Sequence, residues 1–253
     1  MDPGYRSPLV DFFRRGEVAR DVRLQAAQGV FAPRAHEQLA LLLILVDDAD
    51  PLIAASAQAT LDALPPAALA AFLARSDVPA EMREYFVRRG VEVGGAAADS
   101  ADDPLVETAD ADAGPAEPEA DPRVLSMLPI TRRIKLAMKG TREQRAQLIR
   151  DSNRLVAAAV LTSPKLTSTE VETFARMTNV TEDVLRIIAS NRGWLKNYGV
   201  VVGLARNPKT PPPISMTLIS RLNERDMKLL AIDRNVPESV RIAVRKYMTK
   251  ARS

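Results

Sequence analysis

Asn179-Val180-Thr181-Glu182-Asp183-Val184-Leu185-Arg186 and Asn235-Val236-Pro237-Glu238-Ser239-Val240-Arg241 share one pattern, and Asp77-Val78-Pro79-Ala80-Glu81-Met82-Arg83 repeats it. Each copy gives a turn residue, a valine, a proline or threonine, an acidic first turn and then an apolar stripe. Proline suits the first helical position, where its missing N–H costs nothing. Acidic side chains suit the same turn because they face the positive end of the helix dipole. A second pair, Ser163-Pro164-Lys165 and Asn207-Pro208-Lys209, is separated by 44 residues. Two-helix repeats recur at about 40–47 residues. One such hairpin cannot bury its apolar face alone, and stacked neighbours bury it for each other.

The rest of the chain reads as helix outward from these turns. Alanine and leucine dominate the apolar residues and aromatics are only 4%, a mixture that loses little on helical ordering. Asp50-Pro51 pairs a capping residue with a first-position proline. Thr167-Ser168-Thr169-Glu170 fits a capping box, after which Val171, Phe174 and Ala175 share a face. Thr210-Pro211 opens another helix, with Ile214, Leu218 and Leu222 on one stripe. Val236, Val240, Val244 and Met248 are four apart in the last. Gly90 and Gly140 stand where helices end. Val200 to Leu204 favours helix from its surroundings. Gly199 and Gly203 have the spacing that lets a neighbouring helix approach closely. No convincing period-two strand is present, so the expected fold class is all-α.

Charge divides the chain further. Residues 1–91 hold 10 basic and 12 acidic side chains, residues 92–122 hold 10 acidic and none basic, and residues 123–253 hold 25 basic and 10 acidic. The middle stretch is Gly, Ala, Asp, Glu and Pro with almost no large apolar residue, too little to offset the entropy of ordering. The expected organisation is an N-terminal helical domain over 1–91, a disordered acidic linker over 92–122 and a basic C-terminal helical-repeat domain over 123–253.

The turn Asn207-Pro208-Lys209-Thr210-Pro211 and the Asn-Val-Pro starts resemble those of bacterial HEAT-like and leucine-rich-repeat-variant α-solenoids. The resemblance covers Leu128 to Tyr247, about half the chain, and the N-terminal region matches only as loose HEAT-like helices. It implies two short HEAT-like arrays separated by the linker. It also implies a binding scaffold, because such solenoids mostly serve unrelated partners.

Little in the sequence supports catalysis. With no cysteine, thiolate metal sites, disulfides and cysteine nucleophiles are excluded. Met138-Lys139-Gly140-Thr141 has one glycine and no preceding strand, so it reads as a helix stop and the next cap, not a phosphate loop. His36 has Glu37 adjacent, which points elsewhere on a helix, and an exposed or half-packed structural histidine is expected. Asp47, Asp48 and Asp50 read as a solvated turn that caps the next helix. No enzyme activity, metal or cofactor is expected. The longest apolar run, Leu39 to Val46, is far short of the ~20 residues of a membrane span. The start Met-Asp-Pro-Gly lacks a signal pattern, and a cytoplasmic location is expected.

The functional expectation rests on cations. Arg132, Arg133, Lys135, Lys139, Arg142, Arg145, Arg150 and Arg154 crowd one stretch, while Ile134, Leu136, Leu148 and Ile149 bury a stripe. Lys165 and Lys209 occupy equivalent turns, which lie on one edge of a stacked array. Arg192 and Lys196 flank Trp194 and Tyr198, aromatics expected to pack between helices. The surplus of cations over 123–253 exceeds what local acids neutralise, so an anion-binding surface is expected. Its partner is expected to be another protein with an acidic surface, with the chain's own linker as an intramolecular contact. Nucleic acid, held by phosphate neutralisation, is the alternative.

Overall fold

The structure, a computed structural model, describes residues 2–31, 34–94, 104–105 and 121–250. Among these it is all-helical, with sixteen α-helices, two short 3-10 turns and no strand. By its internal contacts the chain divides into two compact units, Met1–Gly140 with Thr162–Pro164, and Thr141–Leu161 with Lys165–Ser253. Most of the expected linker lies outside the described residues.

The first unit carries α1 (Pro8–Arg14), α2 (Arg20–Ala27), α3 (Ala35–Leu45), α4 (Pro51–Asp62), α5 (Pro66–Leu73), α6 (Ala80–Arg88), α7 (Pro122–Met127) and α8 (Ile130–Lys139). Ser7 and Asp50 accept hydrogen bonds from the backbone N–H groups of Val10 and Leu52, and prolines open α1 and α4. Gly90 follows α6 with φ at +82°, a conformation that only glycine adopts without steric cost. Gly140 also ends its helix, but in extended backbone.

α3 is the centre of this unit. Leu39 to Leu43 and Leu45 are each at most 1% exposed, and α1, α2 and α4 all pack on the helix. Burial extends to its polar first turn of His36, Glu37 and Gln38. The expectation of an exposed or half-packed His36 is therefore corrected. Its ring stacks on Tyr5 at 5.5 Å and meets the edge of Phe72 at 4.7 Å, with Nε2 3.9 Å from Asp77. A helix covered on every face leaves its first turn no solvent side. The neighbouring groups are satisfied inside, as buried polar groups must be. The Ser7 hydroxyl donates to Glu37, and Gln38 accepts the Leu105 N–H at 2.8 Å. The aspartates after α3 serve ion pairs and a cap. Asp48 takes two bonds from Arg23 at 2.6 and 2.7 Å, and Asp50 takes one from Arg20 at 2.6 Å.

The second unit carries α9 (Arg142–Leu148), α10 (Arg154–Leu161), α11 (Ser168–Arg176), α12 (Glu182–Ser190), α13 (Tyr198–Arg206), α14 (Pro212–Leu218), α15 (Glu224–Ile232) and α16 (Glu238–Lys250). Thr141 with Gln144, and Thr167 with Glu170, form complete capping boxes. Asn197 and Asn223 cap α13 and α15. The run Val200 to Leu204 is helical, inside α13. The stripe Ile214, Leu218, Leu222 leaves the α-helix early, because Asn223 begins the next cap. A 3-10 turn, Ile219–Arg221, bridges the gap.

Helices in this unit pack on the next but one as well as on the next: α10 on α12, α11 on α13, α13 on α15, α14 on α16. Val180 and Val236 are both buried, each two residues ahead of its helix, and Val78 stands in the same way before α6. α13 approaches α11 through its two glycines. A Cβ at Gly203 would lie 3.1 Å from Cγ of Arg176 and 3.2 Å from Cβ of Ala175, and one at Gly199 would overlap the Glu172 carboxylate. Among the described residues no helix is long and apolar enough to cross a membrane.

Candidate functional site

The cations singled out by sequence fall in both units. In the first, α8 buries Thr131, Ile134, Ala137 and Met138. Arg132, Lys135 and Lys139 recur at spacings of three and four and so share the opposite face. Arg133 is half-buried beside them.

In the second unit the same residue types have diverged in role. Arg142, Arg150, Arg192 and Lys196 are exposed, and among the described residues none of the four forms an ion pair. Arg154 is exposed but paired with Asp183. Arg145 is not a surface cation, which corrects the expectation for it. Its side chain is 5% exposed and that of its partner Glu170 is 4%. A guanidinium taken that far from water requires a carboxylate beside it. Burial pushes the Glu170 carboxyl upward, but hydrogen bonds from the Thr167 N–H and hydroxyl, together with Arg145, outweigh it and hold the group below its ordinary value.

Lys165 and Lys209 are both exposed, and the Lys209 ammonium donates to the backbone oxygen of Val180 at 3.2 Å. The residues two positions earlier are both buried and tie their turns into the fold. Asn207 is buried, and its side-chain N–H groups donate to the carbonyls of Ala175 at 2.9 Å and Met177 at 2.8 Å. Ser163, also buried, donates its hydroxyl to the Met138 carbonyl at 2.6 Å. Asn207 and Lys209 thus both stitch their turn to the preceding one. Trp194 is half-buried. Tyr198 does not pack in a core: it is 41% exposed, with its hydroxyl donating to Asp226 and accepting from the Asn223 N–H at 3.1 Å. A phenol at the first residue of α13 reaches the cap of α15 and spends its polar end there.

The structure adds two arginines that the cation-rich stretch did not point to. Arg176 ends α11 and Arg206 ends α13, and both line a cleft of about 380 Å³ with Gly203, Asn207, Asp233 and Asn235. Arg176 donates to Glu172, four residues earlier, and Arg206 donates to Asp233 at 3.3 Å. The signal for them is in the sequence. Phe174-Ala175-Arg176 and Leu204-Ala205-Arg206 are matching triplets at the ends of α11 and α13.

Set against family models, curated proteins and solved structures, the chain matches none of them.

Proposed function

We propose that this chain is a non-enzymatic protein-interaction scaffold built on HEAT-like helical repeats, two short arrays separated by an acidic linker. The observation that carries the reading is the packing of α10 on α12, α11 on α13, α13 on α15 and α14 on α16 in the second unit, with Asn207 tying one turn to the turn before it. Copies that lean only on their neighbours present long, regular edges, and such edges suit the capture of another protein. The exposed cations Arg142, Arg150, Arg192 and Lys196 in the second unit, and the α8 face of Arg132, Lys135 and Lys139 in the first, favour a partner with an acidic surface. An adaptor role inside the cytoplasm fits a chain without cysteine. The linker's own part in shielding these cations concerns residues outside those described.

The test uses the full chain. Partners are captured by cross-linking from its native cell with the wild type and with a variant carrying Arg142→Glu, Arg150→Glu, Arg192→Glu and Lys196→Glu. The reading expects a defined set of proteins that the charge-reversed chain loses. In parallel, labelled duplex DNA and RNA are titrated from about 50 to 200 mM salt, a range over which phosphate-driven binding falls steeply. Tight, salt-sensitive retention of nucleic acid that vanishes on charge reversal would replace the scaffold with a nucleic-acid-binding protein.

A further inference from the structure

We propose that the cleft between Arg176 and Arg206 binds a short acidic peptide segment of a partner protein. The proposal rests on the scaffold reading and names the place and the chemistry of capture.

The two guanidinium groups end α11 and α13, helices that pack on each other, and their side chains are 58% and 45% exposed. Each is aimed by an acid of its own unit. Glu172 holds Arg176 and is itself fixed by the Asn197 amide at 3.2 Å, while Asp233 holds Arg206. A guanidinium has five N–H donors in a fixed fork, and each acid engages a small part of that fork. Donors on both arginines remain for a ligand, already oriented. Exposed ion pairs of this kind are weak and exchange readily with an incoming carboxylate. Gly203 keeps the floor between the arginine stems open, because a Cβ there would press on Arg176. Asn207 holds the wall in place through its two backbone bonds.

The mixed lining selects the ligand class. Asp233 stands in the wall with a side chain 15% exposed. A nucleic-acid backbone brings only negative charge to that carboxylate, and no aromatic side chain is among the lining residues to stack a base. A peptide brings carboxylates for the arginines and main-chain N–H groups for Asp233. The volume lies at the low end of the roughly 300–1,000 Å³ of small-ligand sites, so the cleft takes a few residues and not a folded surface.

The test is fluorescence anisotropy of a labelled octapeptide of alternating glutamate and glycine, at low salt, with the full chain. Wild type, Arg176→Ala, Arg206→Ala and the double variant are compared, with Arg88→Ala, an exposed arginine on α6 outside every surface proposed above, as control and circular dichroism to verify that each is folded. The expected result is an affinity about tenfold lower for each single variant, the worth of one charge-assisted hydrogen bond, and unchanged for the control. Equal affinity in wild type and double variant, or no binding by wild type, overturns the cleft. If the partners captured from the cell survive both arginine substitutions but fail on reversal of Arg142, Arg150, Arg192 and Lys196, the scaffold reading stands and only this site falls. A labelled single-stranded oligonucleotide run in parallel, bound in a manner dependent on Arg176 and Arg206, would reassign the cleft to phosphate and also overturns the proposal.

Discussion

Arg145 and Glu170 meet inside the second unit, where both oxygens of the Glu170 carboxylate are engaged, one by Arg145 and the other by Thr167. Nε and Nη2 of Arg145 donate to Oε1 at 3.0 and 2.8 Å. Oε2 accepts from the Thr167 N–H at 3.0 Å and from its hydroxyl at 2.9 Å. The capping glutamate of α11 therefore anchors α9 as well, so a local helix-start signal and a long-range pin reside in a single side chain.

Removing one member of this pair strands the other in a place without water. Breaking a buried pair from one side costs about 3–5 kcal/mol, whereas exchanging both members for apolar groups of similar volume is often neutral. Glu170→Ala is expected to lower stability by about that amount, with part of the loss coming from the cap. Arg145→Met combined with Glu170→Leu is expected to be markedly more stable than Glu170→Ala alone. Urea unfolding midpoints of the three chains check this. A Glu170→Ala chain as stable as wild type would show that the pair contributes nothing.

The same carboxylate sets a pH dependence. Glu170 is held below its ordinary value of 4.5 in the folded chain. Its stabilising contribution is therefore complete above that value and is lost as pH falls through the lower folded one. Between pH 5 and roughly pH 3 the wild type is expected to lose stability more steeply than Glu170→Gln, which has no proton to gain there. Thermal unfolding at a series of pH values measures the two slopes, and parallel slopes would refute the assignment.

These two residues also mark how far the sequence can be read. The Thr167–Glu170 box, the Gly199 and Gly203 approach and the helix starts after Val78, Val180 and Val236 are local patterns, legible because the interacting groups lie within a few residues or on one face. The fate of Arg145 depends on a partner 25 residues later, and nothing in a run of arginines distinguishes the buried one. The burial of His36 is hidden in the sequence for a related reason: its neighbours Tyr5 and Phe72 come from distant segments, and only the near-complete apolar run of α3 hints that its first turn is covered too. Arg176 and Arg206 were legible in principle, as matching triplets, but a reading keyed to the Asn turns begins just past them.

The stitch between turns gives a third prediction. Asn207→Ala removes three hydrogen bonds, two to the carbonyls of Ala175 and Met177 and one from the Lys209 N–H, and leaves the buried Ala175 carbonyl without that donor. An unsatisfied buried group costs about 1–3 kcal/mol, so a total loss of about 2–3 kcal/mol is expected. Lys209→Met removes one part-buried bond to the Val180 carbonyl and should cost at most about 1 kcal/mol. Because both side chains serve the same pair of turns, the double variant should lose less than the sum. Strict additivity in denaturant unfolding would argue that the two act separately.

The glycines of α13 provide a test in which two effects oppose. Alanine in place of a helix-interior glycine such as Gly203 gains about 1 kcal/mol of helix propensity, and less at Gly199, the second residue of α13. At Gly199 the new methyl meets the carboxylate of Glu172, the far end of a side chain that can swing aside at the cost of its bonds to Asn197 and Arg176. Gain and loss are of similar size, and Gly199→Ala should lie within about 0.5 kcal/mol of wild type. At Gly203 the methyl meets Ala175 at 3.2 Å for Cβ and 3.4 Å for the backbone carbon, and neither can move without shifting α11. Overpacking of this kind costs about 1–3 kcal/mol, which exceeds the propensity gain. Gly203→Ala should therefore be the less stable of the two, by about 1 kcal/mol, when midpoints are compared in guanidinium or urea. If Gly199→Ala proves the more damaging, it is the Glu172 carboxylate, and not the contact between the backbones of α11 and α13, that sets how closely these helices pack.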